Sequence, residues 1–478
     1  MPASMPEKPL CDTCPMDVVG VFEGSSSTIV FDDGDEITAR ELAEQGRAVG
    51  GAWRAVGVAE GDRIALRMPN QADYVLALLG CASIGAVAVS VNTRYSDAEA
   101  GELVERSGAG LVVRGGDLPD AADGRASGSR RDDPFVVFTT SGTTSRPKMV
   151  VHRQRSIVDH ASDVVTAFGY APDDVIMVAM PLCGTFGLAS LFAAVASGAR
   201  VVVSDYETDQ VARTIERERV TCLNGSDDMF HRLLEHGADL SSIRLGGYAR
   251  FNTSLDGIVA RAEAAGATLV GLYGMSEVQA LFSVRPTDAA VADRERAGGR
   301  LSSPQAAYRI VDGELQLRGP SLFDGYLAEG GDGVDQALTA GAFDDGWFRT
   351  GDLASVDDDR TFEYLARMGD VLRLGGFLVS PAEIEAALME VPGVTAAQVV
   401  AIERPNGARP VAFVLTRDGS PVDEPTAITH CRERLAIYKV PVRVVTVDEF
   451  PTTPSANGTK IQKTKLRDLA QTLPLASR

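Results

Sequence analysis

Two periodicities take turns between Ile37 and Val113. "ARELAEQGRAVGGAWRAVG" and "DYVLALLGCASIG" repeat apolar residues at helical spacing, whereas "DRIALRM", "AVAVSVN" and "GLVVRG" are short β-branched runs. This alternation predicts helices packed over a parallel sheet, where strands buried on both faces lose their polar positions. The pattern resumes in "VIMVAMP", "ARVVVSD", "VTCLNG" and "ATLVGLYG", separated by helix-length stretches such as "TDQVARTIERER", so doubly wound sheets should continue to about residue 300. From Gly115 to Pro134 the periodicity lapses into Gly, Asp, Arg and Ser, which reads as a flexible surface connection. "FVVFTT" then predicts a buried strand opening at its carboxyl end into "TTSGTTSRPKMVV", Thr139 to Val151.

From about Ala307 the texture becomes β-rich, and "AYRIVDGELQLRG" reads as two strands turned at its Asp-Gly pair. "SPAEIEAALMEVPGV" predicts an acidic, capped helix. Strands "AAQVVAIE" and "RPVAFVLT", a helix through "TAITHCRERLA" and a strand "PVRVVTV" follow, enough for a small α+β domain. No internal repeat is present. The fold class is therefore α/β: a large N-terminal domain of doubly wound sheets with a β-rich subdomain, then a small α+β domain.

Composition narrows the partners. The 478 residues exceed what one core usually serves, and 45% are hydrophobic, as in an ordered globular protein. With 46 Lys and Arg against 66 Asp and Glu, the net charge of −20 argues against nucleic acid and anionic membrane surfaces, while leaving room for a local basic pocket. Cysteines at 11, 14, 81, 183, 222 and 431 are too scattered for a disulfide framework and suit a reducing compartment. "CDTC" reads as surface thiols, because a zinc half-site needs partners that do not accompany it. No signal sequence or membrane-length apolar run is seen, so the expected location is cytoplasmic.

In "TTSGTTSRPKMVV", hydroxyls, a glycine and Lys148 follow a strand, a composition able to cradle several anionic oxygens. It is not a Walker A loop, since Pro147 precedes the lysine and Met149 follows it, and no GxGxxG follows a strand. Taken alone, a Ser/Thr-rich turn with a solvated lysine explains it equally well.

Five further stretches stand downstream in order: "YGMSE" at 273–277, "GELQLRGPSLFDGYL" at 313–327, "WFRTGDL" at 347–353, "ARMGDVLRLGGFLVSPAEIE" at 366–385 and "PSANGTKIQKTKLR" at 454–467. Together with the hydroxyl loop they resemble the adenylate-forming superfamily of acyl- and aryl-CoA synthetases, peptide-synthetase adenylation domains and luciferases, and most resemble an acyl-CoA ligase. The resemblance implies that ATP and a carboxylic acid give an acyl-adenylate, with Mg2+, and that the acyl group then passes to the thiol of coenzyme A. It implies that Thr140, Ser141, Gly142, Thr143, Thr144 and Lys148 hold phosphates, Glu277 the metal ion, and Ser276 the α-phosphate. Tyr273 and Gly274, with Gly247 and Tyr248, would contact adenine, Asp352 the ribose hydroxyls, and Arg367 ribose and phosphate. Lys460 would bridge carboxylate and α-phosphate during adenylation.

The same likeness places Phe186, Gly184, Gly225, Ser226, Asp227 and Met275 around the acyl pocket and Gly375, Gly376 and Lys439 along the thiol tunnel. It puts a hinge at Gly369, dividing residues 1–368 from a mobile domain at 369–478. Departures from the pattern are Ser145 and Met149, where the family's loop carries glycine. A Cβ at 145 costs on the order of 1–2 kcal/mol if φ must be positive, and a methionine at 149 narrows backbone access to an anion. Those departures keep three alternatives open: thioester formation from a supplied acyl-adenylate only, loading of a separate carrier protein, and a non-catalytic acyl-adenylate sensor.

Overall fold

The computed structural model describes residues 16–473 apart from 33, 120–129, 141–146, 252–254, 256, 375–376, 403–407, 418 and 456–457. Cys11 and Cys14 therefore lie outside the described residues, as does most of the loop between Thr140 and Pro147. The other four cysteines are buried and free.

Three sheets make the larger part. In the first, Cys222–Leu223, Val175–Val178, Arg200–Val203 and Thr28–Phe31 run parallel, and Glu36–Thr38 closes the edge antiparallel. In the second, Leu111–Val113, Arg63–Leu66, Val87–Ser90 and Pro134–Thr139 are parallel. Met149–Arg153 then returns antiparallel to Pro134–Thr139, and Gly325–Tyr326 pairs with its outer edge. The chain thus enters and leaves the hydroxyl loop through the two strands of a hairpin. Its neck is tied by Thr140 N–H to Lys148 O at 2.9 Å and by Lys148 N–H to Thr140 Oγ1 at 3.1 Å.

The third sheet corrects the expectation of parallel strands to residue 300. Gly225–Ser226, Gly246–Ala249 and Leu269–Met275 are parallel, but Gln279–Val284 folds straight back antiparallel. Only residues 276–278 separate the last two strands, too few for the crossover that parallel pairing requires. The β-rich segment continues this same sheet rather than making one of its own, through Gly298–Leu301, Thr361–Arg367, Trp347–Val356 and the hairpin Ala307–Val311 with Glu314–Arg318. That hairpin turns at Asp312 and Gly313, both at positive φ (50° and 83°), as expected of the Asp-Gly pair.

Beyond residue 371 the apolar clusters are built from that segment's own residues, separate from the clusters formed before residue 367. Val394–Ile402, Arg409–Thr416 and Arg443–Thr446 form a sheet packed with helices Pro381–Met389, Glu424–Arg434 and Lys463–Thr472. Ser380 does not cap the first of these helices, because its hydroxyl reaches Leu365 O at 3.5 Å and Pro381 occupies the first turn. Arg467 ties this part to the connecting segment, donating to Gly369 O at 2.9 Å and to Asp370 Oδ1 at 3.0 Å. No described helix is long and apolar enough to cross a membrane.

Candidate active site

Lys148, Met275, Glu277 and Arg367 line one cleft of about 240 Å³, together with Glu314, Tyr326, Phe348 and Arg349. Three elements deliver them. The 140–148 neck presents Lys148, the tight turn after Leu269–Met275 presents Glu277, and the antiparallel pair Trp347–Val356 and Thr361–Arg367 sets Asp352 directly opposite Arg367. Arg106 braces the neck from outside, donating to Pro147 O at 2.9 Å while its guanidinium also meets Glu329.

Glu277 is locked from several sides. Its own carbonyl accepts from Phe323 N–H at 2.8 Å, and the carbonyl of Ser276 meets His152 Nε2 at 2.7 Å. Gln279 is fixed by Nε2–H donation to Ser156 O at 2.8 Å, and it takes a left-handed φ of 66°, as does Leu281. Such backbone costs about 1–3 kcal/mol per residue and persists only where surrounding contacts over-determine it. Gly274 is required for the close approach, since a Cβ there would stand 2.5 Å from Ala280 Cα. The Glu277 side chain is buried and accepts from the Tyr326 hydroxyl at 3.0 Å. Burial pushes its carboxyl above the usual range, against the pull of its own backbone N–H, Tyr326, Arg367 and Lys148.

Asp352 is nearly fully buried and holds two partners: Tyr273 OH donates to Oδ2 at 2.6 Å and Arg367 donates to Oδ1 at 2.7 Å. Burial, with the Asp352 charge beside it, raises the Tyr273 hydroxyl well above its usual range, so it remains a donor. Burial disfavours the Arg367 cation, but Asp352 outweighs it and the guanidinium stays charged. Tyr273 packs edge-on to Phe362 and tilted against Tyr364. Behind this layer, Glu314 accepts from Arg349 Nε at 3.0 Å and Gly351 N–H at 3.1 Å, fixing the turn before Asp352.

Of the residues expected around an acyl pocket, Met275 lines the cleft, while Phe186, Gly184, Gly225, Ser226 and Asp227 do not and are tightly packed. Phe186 is fully buried in the main apolar cluster, and Gly184 precedes its helix, Thr185–Ala196. Ser226 spends its hydroxyl on Met229 N–H, capping Asp227–His236, and Asp227 accepts from Asp228 N–H. A Cβ on Gly225 would strike Met229 Cε at 1.7 Å, and one on Gly247 would strike Asn224 Oδ1 at 2.5 Å. Tyr248 is buried with its hydroxyl on Glu295 O at 2.8 Å. Lys439 pairs with Glu383 in the C-terminal part. Lys460 falls on the strand Gly458–Ile461, opposite Thr453.

Ser141, Gly142, Thr143, Thr144, Ser145, Gly375 and Gly376 lie outside the described residues. The Met149 side chain is buried in one apolar cluster with Val89, Val137 and Val151. Reasoning from the sequence had assigned no role to Tyr326, Glu314, Arg349 and Phe348. The signal was present, since the first two stand in "GELQLRGPSLFDGYL" and the others in "WFRTGDL".

The chain matches the family described as AMP-binding enzyme over residues 23–129 and 116–327, and its C-terminal domain over 383–457. It is 31% identical over 482 residues to a feruloyl-CoA synthase of Amycolatopsis, covering 92% of this chain and 95% of the relative. It is 28% identical over 468 residues to a long-chain-fatty-acid CoA ligase of Mycobacterium tuberculosis, covering 87% and 89%. The O-succinylbenzoate coenzyme A synthetase of Bacillus subtilis, solved with ATP and magnesium ion, superposes with a TM-score of 0.81 at 25% identity, covering 92% and 96%.

Proposed function

Because the chain belongs to the AMP-binding enzyme family, we propose that it activates a carboxylic acid with ATP as an acyl-adenylate and transfers the acyl group to coenzyme A. It is an AMP-forming acid–thiol ligase. The observation that carries this reading is the convergence of Lys148, Glu277 and Arg367 on one cleft, with Asp352 paired to Arg367 behind it.

In the first half-reaction a carboxylate oxygen attacks the α-phosphorus of ATP and pyrophosphate leaves. Both reactants are anions, so cations must offset the charge that gathers at phosphorus. Lys148 meets the departing phosphates at the loop neck and Arg367 the nucleotide side. Lys460 supplies a mobile point charge between carboxylate and α-phosphate. Asp352 accepts from the ribose hydroxyls, which requires Tyr273 or Arg367 to share its oxygens. The second half-reaction moves the acyl group from AMP to the thiol after the domain at 369–478 turns about Gly369.

Glu277 suits Mg2+, which takes one or two carboxylates and completes its shell with phosphate oxygens and water. When bound, the ion neutralises phosphate charge.

Lys460→Ala tests this reading. Pyrophosphate release from ATP should fall by about a hundredfold or more, while thioester formation from a supplied acyl-adenylate should change little. Equal loss in both steps would contradict the assignment.

A further inference from the structure

The stretch "SLFDGYL" carries a residue that touches both charged groups of the cleft. Tyr326 donates its hydroxyl to Glu277 Oε1 at 3.0 Å, and the Lys148 ammonium lies 4.4 Å from the centre of its ring. The ring has little freedom. Gly325–Tyr326 pairs with the strand that follows Lys148, Tyr326 facing Val150, and Tyr326 N–H donates to Thr339 Oγ1 at 3.0 Å. Phe323 packs tilted against it with centroids 4.8 Å apart.

Arg367 and Lys148 both stand near enough to favour the charged Glu277 carboxylate, yet the Lys148 ammonium rests on the Tyr326 ring and Glu277 Oε1 on the Tyr326 hydroxyl rather than on one another. Lys148 and Glu277 line a cleft shared with Tyr326 and Phe348 and with the charged Glu314, Arg349 and Arg367. There, partly withdrawn from bulk water, opposite charges attract more strongly than in it. Direct pairing would consume the cation meant for phosphate and the carboxylate meant for metal. The aromatic face instead offers the ammonium a weak, non-ionic resting place, and the hydroxyl gives the carboxylate a neutral donor.

We propose that Tyr326 is a positioning residue that keeps Lys148 and Glu277 apart, so that each remains available to the incoming nucleotide and its metal ion. This rests on reading Lys148 as the phosphate lysine and Glu277 as the metal ligand.

The test uses the full-length protein with α,β-methylene-ATP as the nucleotide and Mn2+ as the metal, so no acid need be known. Tyr326→Leu removes the spacer. Metal-free nucleotide affinity should fall about tenfold, because Lys148 now pairs with Glu277. Adding Glu277→Gln to that variant should release the lysine and restore affinity to within about threefold. Tyr326→Phe keeps the ring, so nucleotide affinity should hold within about twofold, while Mn2+ affinity in the ternary complex, read by electron paramagnetic resonance, weakens several-fold. A loss in Tyr326→Leu that Glu277→Gln does not reverse, or a Tyr326→Phe variant with unchanged Mn2+ affinity, would overturn the proposal. Lys148→Met and Glu277→Gln alone serve as controls. If they leave nucleotide and Mn2+ binding unchanged, the assignment of those two residues fails and takes the proposal with it.

Discussion

Asp352 shows how much of the site turns on a single carboxylate. With Tyr273 on one oxygen and Arg367 on the other, it is held ready before any nucleotide arrives. Asp352→Asn keeps the shape and removes the charge that Arg367 and the ribose hydroxyls require. Hydrogen bonds to charged groups contribute about 1.5–3 kcal/mol, so KM for ATP should rise by about tenfold or more. The Arg367 side chain is 47% exposed, and solvent screening therefore limits the loss of folding stability to about 1 kcal/mol. Initial rates across ATP concentrations, beside a thermal melt, separate the two effects. A large fall in melting temperature with an unchanged KM would mean that the residue only supports the fold.

At the scale of elements, the strand Met149–Arg153 and the helix Gln154–Phe168 place two buried histidines behind the site. His152 meets Ser276 O and His160 meets Ala280 O, so each ring holds one side of the turn that carries Glu277. Burial lowers both from the ordinary 6.5 to about 4. Their folded values lie below the unfolded one, so the native state binds fewer protons and stability falls as pH drops. The contribution is complete above pH 6.5 and is lost progressively toward pH 4, at up to about 1.4 kcal/mol per pH unit for each ring. Melting temperature should therefore decline through that window, and His160→Gln should flatten the decline. An unaltered slope in that variant would remove His160 from the account.

The elements themselves were legible to different degrees. β-branched runs marked the parallel strands, and the Asp-Gly pair marked its hairpin, because burial and turn chemistry leave direct traces in residue type. The reversal after Met275 left none. Leu269–Met275 and Gln279–Val284 are buried on both faces and show no clean polar alternation, so parallel and antiparallel pairing look alike, and the left-handed Gln279 and Leu281 carry side chains that give no warning. Tyr326 went unassigned for a related reason. Its importance comes from two neighbours distant in sequence, Lys148 and Glu277, which only the fold brings together.

At the scale of the molecule, the apolar clusters separate on either side of Gly369, and Arg467 of the C-terminal part is fastened to Gly369 and Asp370. The proposed turn of residues 369–478 about Gly369 would let one nucleotide site serve both half-reactions, and the ligase reading depends on both. The most direct measurement offers a panel of carboxylic acids with ATP, Mg2+ and coenzyme A, and quantifies pyrophosphate, AMP and thioester together. The account predicts an acid for which all three appear in equal amounts. Thioester made from a supplied acyl-adenylate, without pyrophosphate release from ATP and the matching free acid, would contradict it.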